Sequence, residues 1–297
     1  MPEYRFRLVN VFTRDREPLS GNPLCVFEDA DGLSDAAMQA LALQFNLSET
    51  TFLSASAVAT ARARIFTPRY EMPFAGHPTL GTAHVVRALT DLDAVTLELP
   101  VGLVAVRAEA DRWTLTAPSP TWRELPVPSA EVAAALGLAE RDLGSRPLWV
   151  NAGKEQLIVP LTSVEAVRRA APRADAFENL KSQDGHSMAY VFAASGSGSI
   201  ESRFFFPQGP AMLEDPATGS AAANLGGWLL ATHAALPIAL QISQGDRTGR
   251  PSTLYLNVDG DGRIAVGGDV VEIGRGSVTL AAKETPPASL HAWVDRG

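Results

Sequence analysis

The chain predicts an α+β fold of two pseudo-symmetric barrel-like domains, each a curved sheet around a central helix. Three observations carry that expectation. A length of 297 residues corresponds to about two domains. The order of elements repeats once at domain length: two strands, a helix, strands, a phenylalanine-containing strand ending at proline, a polar turn, an apolar helix, more strands. Finally, the two helices after the polar turns have almost no polar face. Leu80 to Leu89 offers mainly His84 and Arg87, and Ser220 to Ala231 mainly Asn224. A helix apolar on nearly all sides must be buried all round, and a sheet wrapped about it does that.

In the first half, Tyr4 to Thr13 starts as period-two alternation, a half-buried strand. Ser20-Gly21-Asn22-Pro23 is a turn cluster, and Leu24 to Phe27 resumes as a strand. Ser34 is placed to cap a helix whose apolar positions Met38, Leu41, Ala42 and Phe45 share one face, ending near Asn46. Strand formers run to Leu53, and Ala61 to Thr67 is a further strand stopped by Pro68. After the turn at His77 and its helix, Val95–Leu99, Leu103–Ala108 and Trp113–Ala117 read as strands. Pro118, Pro120, Pro126 and Pro128 stiffen the next segment. This marks 119–128 as a linker between a first domain, 1–118, and a second, 129–280, with the tail 281–297 a candidate to pack on the first.

The second half opens with Ser129 as the cap of an alanine-rich helix that stops at Gly137. Leu148 to Gly153 and Gln156 to Pro160 echo the strand, glycine turn and strand of the first half, and Thr162 with Glu165 reads as a capping box. Ala189–Ala193 and Ile200–Phe206 are strands, the latter stopped by Pro207. Asp215 and its apolar helix come next, and Ile238–Ser243, Thr253–Val258, Ile264–Gly267 and Val270–Leu280 finish in strands.

Composition narrows the function. With 46% hydrophobic and 20% charged residues the chain is an ordinary globular protein. A net charge of −8 without a basic stripe argues against nucleic acid and anionic membrane as partners. One cysteine, Cys25, precludes an internal disulfide and fits a reducing compartment. No apolar stretch reaches the roughly 18 residues a membrane span needs. A cytoplasmic protein is expected. The five histidines form no metal spacing, and neither a Walker loop nor a Gly-x-Ser-x-Gly elbow occurs. Proton transfer without a cofactor or metal is the chemistry left.

Four polar points could serve it. Glu49, flanked by Ser48, Thr50 and Thr51 at a helix-to-strand junction, is either a solvent-facing edge residue or a half-desolvated carboxyl able to shuttle a proton. His77, in Phe74-Ala75-Gly76-His77-Pro78-Thr79, is either satisfied by backbone or aimed at a substrate. Asp215, about 140 positions later, roughly one domain length, is either a helix cap, or a ligand for a polar substituent or a support for His77. The amides around Gly219 and Ser220 beside it suit an anion. Arg250, in the loop from Gln244 to Ser252, could fork a carboxylate or sit incidentally on a hairpin.

In combination, Gly21-Asn22-Pro23, Asn46-Leu47-Ser48-Glu49-Thr50, Phe74 to Thr79, Glu214 to Ala221, and Gln244-Gly245 with Gly249-Arg250-Pro251 resemble the phenazine-biosynthesis PhzF-like family over nearly the whole chain. The resemblance implies the diaminopimelate-epimerase-like fold, a homodimer, and a cofactor-independent isomerase of a small carboxylate-bearing metabolite, similar to trans-2,3-dihydro-3-hydroxyanthranilate isomerase. Carried over by position, Glu49 would be the acid/base. His77 and Asp215 would orient substrate, with Gly76, Gly219, Ser220 and Ser48 lining the site. Racemases and epimerases of this fold use a thiol at each turn. Here the turns carry His77 and Asp215, and Cys25 lies at neither, which disfavours that alternative. A catalytically idle small-acid-binding or protein-interaction protein is the alternative of another class.

Overall fold

The computed structural model describes residues 1–177 and 179–280. β1 (Glu3–Val11) and β2 (Asn22–Phe27) pair antiparallel, with Val11 opposite Asn22. α1 (Asp35–Phe45) starts where the Ser34 hydroxyl accepts the Ala37 N–H and stops at Asn46, whose left-handed backbone ends it. It crosses the outer face of the sheet, covering Phe27, Phe52 and Phe66 with Met38, Leu41 and Ala42, and returns the chain to β3 (Glu49–Ser54), parallel to β2. β4 (Ala61–Phe66), β5 (Glu71–Met72), α2 (Gly76–Thr90), β6 (Ala94–Leu99), β7 (Gly102–Glu109) and β8 (Arg112–Thr116) complete the half.

The second half runs β9 (Thr121–Glu124), α3 (Ser129–Ala135), β10 (Leu148–Asn151), β11 (Glu155–Pro160), α4 (Val164–Arg169), α5 (Ala174–Phe177), β12 (Ala189–Gly196), β13 (Ser199–Gln208), β14 (Ala211–Asp215), α6 (Gly219–Ala231), β15 (Ile238–Gln244), β16 (Ser252–Val258) and β17 (Ile264–Thr279).

The pairings β1–β2–β3–β4–β6–β7–β8–β17, returning to β1, close an eight-stranded barrel around α2. The ladder β9–β10–β11–β12–β13–β15–β16–β17 curls in the same way around α6. Both central helices are buried along most of their length, as their lack of a polar face requires. Their side chains and the inward residues of both sheets form one continuous apolar cluster. Separate clusters lie outside the sheets, under α1 and under α3 to α5.

The repeat extends to individual side chains. Arg64 reaches back to Glu71 and lies over Phe66, and Arg203 reaches Glu214 and lies over Phe205. Matching Phe66 with Phe205 also matches Thr50 with Ala189, because each is its strand-pairing partner. Glu49 of the first half therefore corresponds to Met188 of the second.

Several local expectations change. The segment 119–128, expected as a linker, contains β9, paired with β10 from Thr121–Asn151 to Glu124–Leu148. Prolines on either side masked a four-residue strand. The two final strands are one, β17, whose start pairs with β16 in the second half and whose later residues pair with β1 in the first. The second half thus sends β17 into the first barrel, while the chain crosses from the first half to the second between β8 and β9. The cap before α4 is Ser163 rather than Thr162, and α3 begins at Ser129 itself, with Pro128 before it. The tail 281–297 lies outside the described residues. No helix among the described residues is long and apolar enough to cross a membrane.

Candidate active site

α2 and α6 point their N-termini at each other. A methyl group added at Gly76 would stand 3.7 Å from the Ser220 nitrogen and 3.8 Å from Gly219 Cα. Neither helix has a side-chain cap. Ala75 before α2 has no suitable atom, and Thr218 before α6 uses its hydroxyl elsewhere. First-turn N–H groups without a cap, backed by two converging helix dipoles, make this junction receptive to an anion. α2 also starts earlier than its apolar run, at Gly76. Pro78 is tolerated because a first-turn residue donates no helical hydrogen bond.

His77 is thereby held in the first turn of α2, buried, with Nε2 3.4 Å from Oε2 of Glu49. Glu49 opens β3, and its side chain retains 15% of its accessible surface. Burial lowers the His77 pKa to about 3, opposed by a hydrogen bond to the Pro23 backbone. Nε2 has no hydrogen-bond partner among the described residues, so that bond falls to Nδ1 and the facing nitrogen is a bare acceptor. Burial, reinforced by the charge of Asp215, pushes Glu49 up to about 8, only partly offset by the neighbouring Ser48. At neutral pH the pair is an uncharged imidazole facing a protonated carboxyl.

Asp215 is built in the opposite sense. Asn22 Nδ2 donates to its Oδ1 at 3.0 Å, and the Thr218 hydroxyl donates to Oδ2 at 2.5 Å. Backbone groups dictate both directions. Asn22 Nδ2 is also tied to the Ala217 carbonyl, and Gln244 Nε2 to the Asp215 carbonyl, so each amide must present N–H. Gln244 then donates to Thr218 Oγ1, leaving the threonine proton for Asp215. Burial raises Asp215 to about 6, while these two donors pull it back. Two carboxyl groups in one cleft are thus separated in acidity by their surroundings, the usual mark of divided acid and base roles.

All the residues expected at the site gather here. Glu49 and His77 meet, Ser48 Oγ donates to Asn22 Oδ1 at 3.3 Å, Asn22 bridges to Asp215, and Gly76, Gly219 and Ser220 form the two helix starts. Asn22, Gln244 and Thr218 were visible only as turn or motif residues, because Asn22 works across the junction between the halves and Gln244 reaches Asp215 and Thr218 from a distant strand of the second half. Phe12 had no signal at all. Its left-handed backbone (φ 64°) wedges the ring between Gly268 and Gly219, where added methyl groups would lie 2.2 and 3.1 Å from ring carbons. Arg250, a candidate carboxylate fork, instead donates to the Gly21 carbonyl at 2.7 Å and to Asn10 Oδ1 at 2.9 Å, joining the loops of the two halves. Cys25 is wholly buried in β2, its thiol pKa driven upward by that burial. No cluster of potential metal ligands occurs among the described residues.

The likeness to known proteins agrees with this geometry. The family model for the phenazine biosynthesis-like protein matches residues 9–280. The chain is 37% identical over 276 residues to trans-2,3-dihydro-3-hydroxyanthranilate isomerase of Pseudomonas fluorescens, covering 89% of this chain and 95% of that protein. It is 38% identical over 290 residues to an uncharacterised isomerase of Pasteurella multocida, covering 96% and 97%. The crystal structure of a Bacillus anthracis phenazine biosynthesis protein of the PhzF family shares the fold, with a TM-score of 0.83, 24% identity and coverage of 94% and 100%. With both barrels matched and the model spanning nearly its whole length, the chain belongs to the phenazine biosynthesis-like protein family.

Proposed function

We propose that this protein is an isomerase that moves a proton within a small carboxylate-bearing metabolite, with Glu49 as the acid/base. The observation that carries the reading is the placement of Glu49, its pKa near neutrality, 3.4 Å from His77 and beside two uncapped helix starts. The substrate carboxylate sits on the amides of Gly76, Gly219 and Ser220, where fixed dipoles favour negative charge. Asp215, supplied with donors, is the acceptor for a substrate amino or hydroxyl group, and Ser48 and His77 orient the guest around the acid/base.

In the reaction, Glu49 as carboxylate takes a proton from a carbon acidified by the neighbouring conjugated system. The C–H electron pair enters that system, and the same proton returns to another carbon on the same face. One carboxyl suffices when both carbons lie within its reach, since positioning supplies much of the rate. Racemases of this fold use a thiol at each turn, and the turns here carry His77 and Asp215 instead, which disfavours that reading. Reaction through a side chain needs no cofactor. The lobes that would close on the substrate are about 1–118 and 129–280, the second lending β17 to the first. A homodimer and a cytoplasmic location complete the reading. The first is supported by family likeness, with light scattering as its check, and the second by the single, buried cysteine.

The relatives suggest the test compound. Wild type and Glu49→Gln are incubated with trans-2,3-dihydro-3-hydroxyanthranilate in D₂O, with product and deuterium content monitored. Isomerisation in the wild type and its loss in the variant support the proposal. Binding without isomerisation or exchange favours a small-acid-binding protein, and full activity of Glu49→Gln removes Glu49 as the base.

A further inference from the structure

Ser220 is the second residue of α6, as His77 is the second of α2. Its hydroxyl belongs to a chain of amides whose directions are set by the backbone. Asn224, wholly buried one turn further along α6, accepts the Ala152 N–H at Oδ1 (2.7 Å), and its Nδ2 donates to the Lys154 carbonyl (2.8 Å). A backbone N–H can only donate and a carbonyl can only accept, so the orientation of Asn224 admits no flip. The same Nδ2 donates to Gln156 Oε1 at 2.8 Å, which turns Gln156 Nε2 towards Ser220, 3.0 Å from Oγ. Ser220 Oγ must therefore accept, and its own proton is left for another acceptor. Gln156 is 2% exposed, so water does not compete for this arrangement.

We infer that Gln156, held by Asn224, is a positioning residue that makes the Ser220 hydroxyl an obligatory donor to the bound ligand. The inference rests on the reading of this junction as the substrate site and adds to it a directionality. Beside the α6 amides, the ligand must present an oxygen that accepts, as a carboxylate does, and a group able only to donate is refused. Gln244 does the corresponding work for Thr218, whose proton goes to Asp215 within the protein. Of the two hydroxyls at the start of α6, one is aimed inward and one is kept for the guest.

The test is a double-mutant cycle read by binding of 3-hydroxyanthranilate, a carboxylate on the ring skeleton of the relatives' substrate, together with KM and kcat where turnover is measurable. Gln156→Met nearly preserves volume and removes the donor to Ser220. It is expected to weaken the probe about tenfold and to raise KM more than it lowers kcat. In a Ser220→Ala background the same substitution should change affinity by less than about twofold, because its effect passes through the hydroxyl. A purely structural role would weaken binding equally in both backgrounds, and that result, or wild-type affinity in Gln156→Met, overturns the inference.

Should Gln156→Met not fold, Gln156→Glu retains the bond from Asn224 and reverses the one to Ser220, and its cycle is read in the same way. Failure of the probe to bind wild type would overturn the site itself. Additive losses alongside normal turnover would overturn only the role of Gln156.

Discussion

Glu49 Oε2 and His77 Nε2 face one another at 3.4 Å, and neither has a hydrogen-bond partner among the described residues. Burial drives their proton affinities in opposite directions, the carboxyl up to about 8 and the imidazole down to about 3. Each is therefore neutral near pH 7, and the carboxyl proton has a bare ring nitrogen to face. Loss of the Glu49 proton leaves a carboxylate facing a neutral ring, and that form is populated as pH rises through about 8.

Replacing Glu49 by Gln keeps the shape and removes the titratable group. Turnover should fall by about 10²- to 10⁴-fold, the range for loss of a positioned acid/base, while 3-hydroxyanthranilate binds within about threefold of wild type. Steady-state rates and calorimetry on one preparation separate the two effects.

The pH profile should identify the same group. If the carboxylate form is the base, kcat/KM rises with pH to a limb near 8. Because the charge of Asp215 helps to raise Glu49, Asp215→Asn should move that limb to lower pH, whatever it does to the maximum. A limb unmoved in the variant would show that the two carboxyls do not communicate.

Stability carries a matching signature. The raised pKa of Glu49 gives a contribution fully present below its ordinary value of 4.5 and lost as pH rises through about 8. The lowered pKa of His77 gives one present above 6.5 and lost as pH falls through about 3. Glu49→Gln should thus gain in melting temperature relative to wild type on going from pH 5 to pH 9. Parallel melting curves across that range would contradict the burial assigned to the carboxyl.

Arg250 is expected to matter for stability before binding. Its guanidinium holds the Gly21 carbonyl and Asn10 Oδ1, so Arg250→Ala should cost about 1.5–3 kcal/mol by denaturant unfolding. The probe should still bind within about threefold of wild type, since the anion is assigned to the helix starts. A selective loss of binding in a stable variant would return Arg250 to the carboxylate.

Phe12 predicts a steric result. A methyl group at Gly268 would overlap the Phe12 ring at 2.2 Å, while one at Gly219 would meet its tip at 3.1 Å. Gly268→Ala should therefore destabilise by about 1–3 kcal/mol or more, and Gly219→Ala by less, with unfolding midpoints giving the order.

Much of this protein is legible in one dimension. Helices without a polar face, such as Ala221–Ala231, can only be wrapped, so the two-barrel plan came from composition and periodicity. Glu49, His77 and Asp215 were identifiable because each stands beside a turn or helix start with its own local signature, and the motifs around them are specific. Local patterns could not show what depends on pairing between distant segments. β9 was hidden by its prolines, β17 looked like two strands because it serves both halves, and Phe12 was one more apolar residue at the end of a strand.

Direction was decided in three dimensions as well. Asn22, Gln156 and Gln244 are amides that could point either way, and only groups brought from elsewhere in the chain settle their directions: backbone carbonyls for Asn22 and Gln244, and the backbone-anchored Asn224 amide for Gln156. The sequence by itself determined which chemical groups are present and that two buried helices would each need a sheet. Tertiary structure decided their proton affinities and hydrogen-bond directions, because desolvation and donor–acceptor matching are properties of what surrounds a group and not of its neighbours in the chain.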